Sequence, residues 1–280
     1  MDGVFVGSEA LAAGRVTRHQ LATAYRRLLP DVYAPKRRAL SLQDRTVAAW
    51  LWSRRRGVIT GPAASALHGA KWVDEGTPID LNLANGKPPT GVITRSETLL
   101  DDEVTRLKGM PVTTIERTAF DLARRGSVGV AVERLDALAH ATGFKAGHVL
   151  DVARHHPRVR GSRRVAAVLD MVDNGAQSPK ETWLRLLLTD AGFPKPQTQI
   201  PVPGADGYPR YYLDMGWREV MVAVEYDGEQ HRVDRDQFRR DVSRGEYIDG
   251  LGWRRVRVLA GDRRVDIVAR VRRAWAHARR

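Results

Sequence analysis

Residues 211–259 read YYLDMGWREVMVAVEYDGEQHRVDRDQFRRDVSRGEYIDGLGWRRVRVL. Two apolar runs bracket Arg218-Glu219, as the two strands of a hairpin would. Asp214 stands in the first run, Glu225 and Asp227 end the second, and His231 follows at once. Side chains alternate along a strand, so Glu225 and Asp227 share a face. A tight turn at Arg218-Glu219 sets Asp214 and Glu225 on nearby rungs. An ionised carboxylate in so apolar a run is expensive without a purpose. Repulsion among such acids is relieved by protonation or by a cation. In a basic chain the natural cation is a hard divalent ion facing a phosphate, Mg2+ or Mn2+. Asp214 and Glu225 are the expected ligands. His231 fits a general base or a water-orienting group, and Arg244 fits a group that steadies charge on the phosphate. Plainer roles stand beside these: a turn at Asp227-Gly228, a surface histidine at 231, and a helical Asp241–Arg244 pair.

Working outward, Asp173–Ser178 reads as a linker, and a new helix starts with Pro179 in PKETWLRLLLTDAG. Glu181 lies three residues after Ser178, the spacing of a capping box. Strands are expected at 198–203, 211–217 and 220–226, a helix at 235–250, a strand at 253–259 and an arginine-rich helix at the end. This αβββαβ order resembles the PD-(D/E)XK nuclease core. Glu181, Asp214, Glu225-Tyr226-Asp227, RRDVSR and GLGWRRVRV carry the likeness over roughly residues 178–270. More narrowly, the segment resembles the very-short-patch-repair endonuclease-like group. The resemblance implies a restriction-endonuclease-like fold, phosphodiester hydrolysis, and site roles for Glu181, Asp214, Glu225, Asp227, His231, Asp241 and Arg244. There is one departure. The superfamily pattern puts lysine two residues after the glutamate, where this chain has Asp227, and no lysine follows Lys195. The narrower group shares that feature.

The first forty residues read as helix, turn, helix and a short extended piece. Ser8 is placed to cap the first helix and Gly14 to stop it. Thr17 and Gln20 have capping-box spacing for RHQLATAYRRLL, with Leu21, Tyr25 and Leu28 on its apolar face. Arg18, His19, Arg26 and Arg27 lie elsewhere on that expected helix, available to DNA, and DVYAP reads as a wing. LAAGRVTRHQL and DVYAP resemble the winged helix of the AbiEi-type antitoxin family, which implies operator binding.

Residues 41–172 form a mixed α+β middle region. Helices are expected at 43–55 and in GPAASALHG, and strands at 79–83 and 92–93. A Thr113–Glu116 capping box opens TIERTAFDLARR, and helices follow with breaks near Gly143, Gly147 and Pro157. His140, His148, His155 and His156 have no metal-ligand spacing and are expected at the surface. There is no phosphate loop, dinucleotide fingerprint or GxSxG elbow.

The whole chain has 280 residues and a formal net charge of +13, with arginine far outnumbering lysine. Such an excess points to a polyanion, most simply double-stranded DNA, rather than a membrane. The absence of cysteine excludes disulfides and thiolate chemistry. No apolar run approaches the roughly 20 residues of a membrane span. The N-terminus lacks secretion-signal character, so a cytoplasmic location is expected. The expected architecture is a multidomain α+β/α/β chain: a winged helix-turn-helix (1–40), the middle region (41–172) and a nuclease-like domain (173–280). Three functions compete. One is a metal-dependent DNA endonuclease, one a non-catalytic DNA-binding regulator or antitoxin with a degenerate nuclease fold, and one an RNA-processing nuclease. A helix-turn-helix favours duplex DNA, because the A-form major groove is too narrow for a helix.

Overall fold

The computed structural model describes residues 2–227 and 235–278. The chain divides into two compact units, Met1–Val172 and Asp173–Arg280. Among the described residues there are eleven helices and three sheets. No helix there is long and apolar enough to cross a membrane.

The first unit begins with β1 (Phe5–Val6), α1 (Gly7–Ala12), α2 (Arg18–Thr23), β2 (Tyr25–Leu29) and β3 (Val32–Pro35). The three strands form an antiparallel sheet in the order β1-β3-β2. The Thr17–Gln20 capping box is present, with reciprocal bonds of 3.1 and 2.9 Å. The helix it opens is shorter than the sequence suggests. Tyr25–Leu29 leaves it and pairs with β3. Tertiary packing overrides local propensity here. Tyr25 meets the Phe5 ring edge-on at 5.0 Å, and Leu28 and Leu29 pack on the core around Val32, Ala48 and Leu51. Arg18 and His19 are therefore exposed on a helix, whereas Arg26 and Arg27 lie on a strand. Arg26 is half-buried and donates to the Arg38 carbonyl; Arg27 is exposed. Ser8 is not the first cap. Val6 occupies that position, and the Ser8 hydroxyl donates to Asp31.

The unit continues with α3 (Leu42–Trp52), β4 (Val58–Thr60), α4 (Gly61–Leu67), β5 (Ile79–Asn82), β6 (Val92–Arg95), β7 (Val104–Leu107), β8 (Met110–Thr113), α5 (Ile115–Arg124), α6 (Val128–Thr142), α7 (Ala146–His155) and α8 (Val165–Asp170). Its sheet has the order β6-β5-β4-β8-β7, with β5/β6 and β4/β8 parallel. The α5 cap sits one residue later than the sequence spacing suggests. Thr113 is buried, 2.7 Å from the Thr118 hydroxyl, and Thr114 caps the Arg117 amide. Gly143 closes α6 with φ of 63°, while Gly147 lies inside α7 rather than breaking it.

His140, His148 and His155 are exposed, but His156 is buried. Its Nε2 lies 2.6 Å from Glu103 Oε1. Glu103 in turn accepts from Arg117, a residue with 1% exposure, at 2.5 Å. Four carboxylates (Asp80, Glu97, Glu103, Asp121) and four arginines (95, 117, 124, 125) interlock along α5. This network ties the 95–103 segment to the helix. Burial raises Glu103 and Glu97, but the Leu100 amide, His156 and Arg117 outweigh it at Glu103, and Arg124, Arg125 and Arg117 outweigh it at Glu97. Both carboxyls end below their usual range.

The second unit contains α9 (Pro179–Asp190), β9 (Gln197–Pro203), β10 (Pro209–Trp217), β11 (Val222–Asp227), α10 (Arg235–Gly250), β12 (Arg254–Leu259) and α11 (Arg264–Ala278). The sheet order is β12-β11-β10-β9, with only β11 and β12 parallel. Alternation decides the layers. Val222 and Val224 face Leu184, Leu188, Ile267 and Val271 from α9 and α11. Ala223 faces the other way, toward Ile248 of α10. Each fully buried aliphatic side chain contributes about 1.5–3 kcal/mol. The hairpin connection is wider than an Arg218-Glu219 turn. It is a 3-10 turn at Arg218–Val220 followed by Met221 with φ of 50°. Gly216 is needed for a different reason, because a Cβ there would stand 2.3 Å from the Val222 carbonyl oxygen. Gly216→Ala is expected to cost about 1–3 kcal/mol through overpacking, read as a lower urea midpoint. An unchanged midpoint would contradict the close approach.

Candidate functional site

The hairpin ladder pairs Trp217 with Val222 and Met215 with Val224. Asp214 and Glu225 are the next residues outward on the two strands. Beyond that rung the Tyr226 amide donates to a side chain, Asp214 Oδ2, at 3.0 Å. One carboxylate oxygen of Asp214 thus splints the end of the ladder. Leu213 and Met215, two residues apart, pack into opposite layers, so simple alternation breaks at Asp214. Gln199 on the neighbouring strand has φ of 48°, and such irregularities re-aim side chains. Burial, then the charges of Glu181 and Glu225, push the Asp214 carboxyl up to about 7. The Tyr226 amide and Arg244 oppose this without cancelling it.

Glu225 is 6% exposed. Arg244 reaches it from α10, its Nη2 donating to Oε1 at 2.6 Å and to the Tyr212 carbonyl at 2.8 Å. From β12, Arg255 Nη1 lies 3.6 Å from Oε2. Arg255 is itself oriented by bonds of 2.9 and 3.1 Å to Asp249. Gly245 makes room, since a Cβ there would be 2.6 Å from Arg255 Nη2. Glu225 is thus clamped between two guanidiniums.

Glu181 serves the start of α9. Its oxygens accept from the Gln177 amide and the Ser178 hydroxyl, both at 2.9 Å, and Ser178 Oγ accepts from the Glu181 amide at 3.2 Å. It also acts on Asp214 by its charge. Asp227 ends β11, half-buried and in register with Leu259. Asp241 is half-buried on α10, one turn before Arg244. His231 and Gly228 lie outside the described residues. Among the described residues no three His, Asp or Glu side chains form a metal-sized group. The donor chemistry nevertheless suits a hard cation: Asp214 and Glu225 offer oxygen ligands, and burial, with the charges of Glu181 and Glu225, already raises the Asp214 carboxyl.

Sequence reasoning missed Arg255 and the Tyr212 carbonyl. Arg255 pairs with Ala223 across a parallel ladder, which sets it on the Glu225 face. Only knowledge that β11 and β12 are neighbours reveals this.

No family profile and no solved structure matches the chain. Two curated relatives align with it, both from Mycobacterium tuberculosis: uncharacterized protein MT2308 of strain CDC 1551 / Oshkosh and uncharacterized protein Rv2248 of strain ATCC 25618 / H37Rv. Each is 27% identical over 177 residues, covering 62% of this chain and 65% of the relative's own length.

Proposed function

We propose that residues 173–280 form a metal-dependent phosphodiesterase of the PD-(D/E)XK kind, acting on DNA as an endonuclease. The observation that carries this reading is the placing of Asp214 and Glu225 one residue beyond the Met215–Val224 rung of the hairpin, where burial and two further carboxylates raise the Asp214 carboxyl to about 7. A pair of acids so placed gains most from a divalent cation. Mg2+ or Mn2+ held by Asp214 and Glu225 would polarise the scissile phosphate and lower the pKa of its bound water. The chain's own groups do the rest. Asp214 would hold the ion as its carboxylate, the form that prevails above about pH 7. Arg244, set over Glu225, supplies a guanidinium for charge growing on the phosphate. Asp227, His231 and Asp241 flank the site in sequence. The αβββαβα order of the second unit supports the family reading. In the first unit, a hairpin behind two short helices supports a winged DNA-binding element, with Arg18 and His19 on α2 and Arg27 on the hairpin as phosphate contacts.

The test is incubation of plasmid, single-stranded DNA and RNA with Mg2+ or Mn2+, repeated with Asp214→Ala. We expect nicking or linearisation by the native protein and none by the variant. No cleavage of any substrate, or equal cleavage by the variant, overturns the reading. Cleavage of RNA alone would reassign the substrate to RNA.

A second reading is a DNA-binding regulator without hydrolysis. The arginine clamp favours it, because Arg244 and Arg255 already neutralise Glu225 without an ion. It predicts metal-independent, salt-sensitive footprints on duplex DNA that Asp214→Ala leaves unchanged.

A further inference from the structure

We infer that the open face of the β9–β10 hairpin is a stacking track for an unpaired nucleic-acid strand leading to Asp214. Tyr211 and Leu213 pack toward α10. Alternation therefore turns Tyr212 to the opposite side of the sheet. On that side α9 and α11 cover β11, β12 and the Met215–Trp217 end of β10. No described element covers the other end of the hairpin: Pro201 and Pro203 are exposed, Tyr212 is 50% exposed and Tyr208 is 75% exposed.

The neighbouring cations divide between the two faces. Arg210 is exposed, but its guanidinium lies over rings on the α10 side, 4.7 Å from Tyr247 and 5.4 Å from Tyr211. Lys180, exposed at the start of α9, carries its ammonium 6.0 Å from the Tyr226 ring. Tyr226 is the residue whose amide holds Asp214. Tyr212 precedes Asp214 by two residues, roughly 7 Å along a strand.

Exposed rings beside Lys180 fit a strand whose bases are unstacked, because any base offers a π-face and the ammonium can take a phosphate. A continuous duplex keeps its bases stacked inside and offers these rings nothing. The track deepens the nuclease reading and rests on it for its purpose, but binding by the track needs no metal and no hydrolysis.

The test uses the full chain in EDTA and a short fluorescein-labelled oligodeoxynucleotide of mixed sequence without self-complementarity. It is offered unpaired, annealed as a blunt duplex, and as the matching oligoribonucleotide. Native protein is expected to hold an unpaired strand more tightly than the blunt duplex, and the two unpaired arms decide between DNA and RNA. Tyr212→Ala is expected to weaken unpaired binding by about 5- to 150-fold. Tyr212→Phe retains it, and duplex binding is unchanged in both. Circular dichroism verifies that the exposed substitutions leave the fold intact. Equal affinity of native protein and Tyr212→Ala for the unpaired strands, or no preference of the native protein for them, overturns the inference. Tight, Tyr212-dependent binding alongside plasmid left uncut in metal would sustain the track and remove the hydrolysis.

Discussion

Arg117→Ala is expected to destabilise the first unit by about 3–5 kcal/mol, the cost of leaving buried carboxylates without their partner. Arg117 has 1% exposure and bonds to Glu103 (2.5 Å), the Thr98 carbonyl (3.0 Å), Glu97 (3.3 Å) and Asp121 (3.4 Å). Removing it leaves Glu103 with His156 and strips one guanidinium from Asp121 in a setting of low dielectric. A surface arginine pair would contribute at most about 1 kcal/mol, so the size of the loss discriminates between the two situations. Chemical denaturation followed by the fluorescence of Trp50 and Trp52 reads it, and a change under 1 kcal/mol would refute the buried network. The pH dependence has a definite sign. Glu97 and Glu103 have folded-state pKa values below their unfolded ones. Their stabilisation is complete above the unfolded carboxylate range and is lost as pH falls through the lower folded values.

Asp214→Asn should act in the opposite direction on stability. The folded-state value of about 7 lies above the unfolded value near 3.8. Between those limits the native state binds more protons than the unfolded chain, so stability falls as pH rises from about 4 to about 7. Above pH 7 the ionised aspartate costs on the order of 3–4 kcal/mol, which an uncharged amide avoids. Asp214→Asn should therefore melt higher than the native protein at pH 8 and nearly level with it at pH 4. Manganese binding by calorimetry should vanish in the variant. In the native protein it should strengthen with pH up to about 7, because the ion displaces a proton. A variant less stable than the native protein at pH 8 would show that the Tyr226 splint outweighs the buried charge.

Hydrophobic alternation is enough to place β9, β10, β11 and β12, whereas α10 is only partly amphipathic and is read from its place in the αβββαβ order. The hairpin tip escaped, since a 3-10 turn with Met221 in the left-handed region has no sequence signature comparable to Asn-Gly. Tyr25–Leu29 was misleading for a different reason. Its leucines and arginines suit a helix as well as a strand, and only the Phe5 ring and the α3 core decide between them. β4, β7 and β8 are three or four residues each and lack the five-residue alternation over 79–83 that reveals β5. The buried network was invisible because Arg95, Glu97, Glu103 and His156 are scattered in sequence around α5, and charge in a sequence reads as surface. At the candidate site, Asp214 and Glu225 announced themselves as acids in apolar strands. The clamp on Glu225 did not, because it depends on which strands lie side by side.

Among the described residues, the four-stranded sheet of the second unit has two unpaired rims, and each is guarded by its own chemistry. On β9, the prolines at 201 and 203 are two residues apart, so both withhold a donor from the same flank, the one an edge strand turns outward. On β12, the exposed Arg254 and Arg257 set positive charge along the strand. A second copy seeking to extend the sheet meets missing hydrogens on one side and like-charge repulsion on the other. Both devices oppose edge-to-edge pairing of the aromatic hairpin with a second copy.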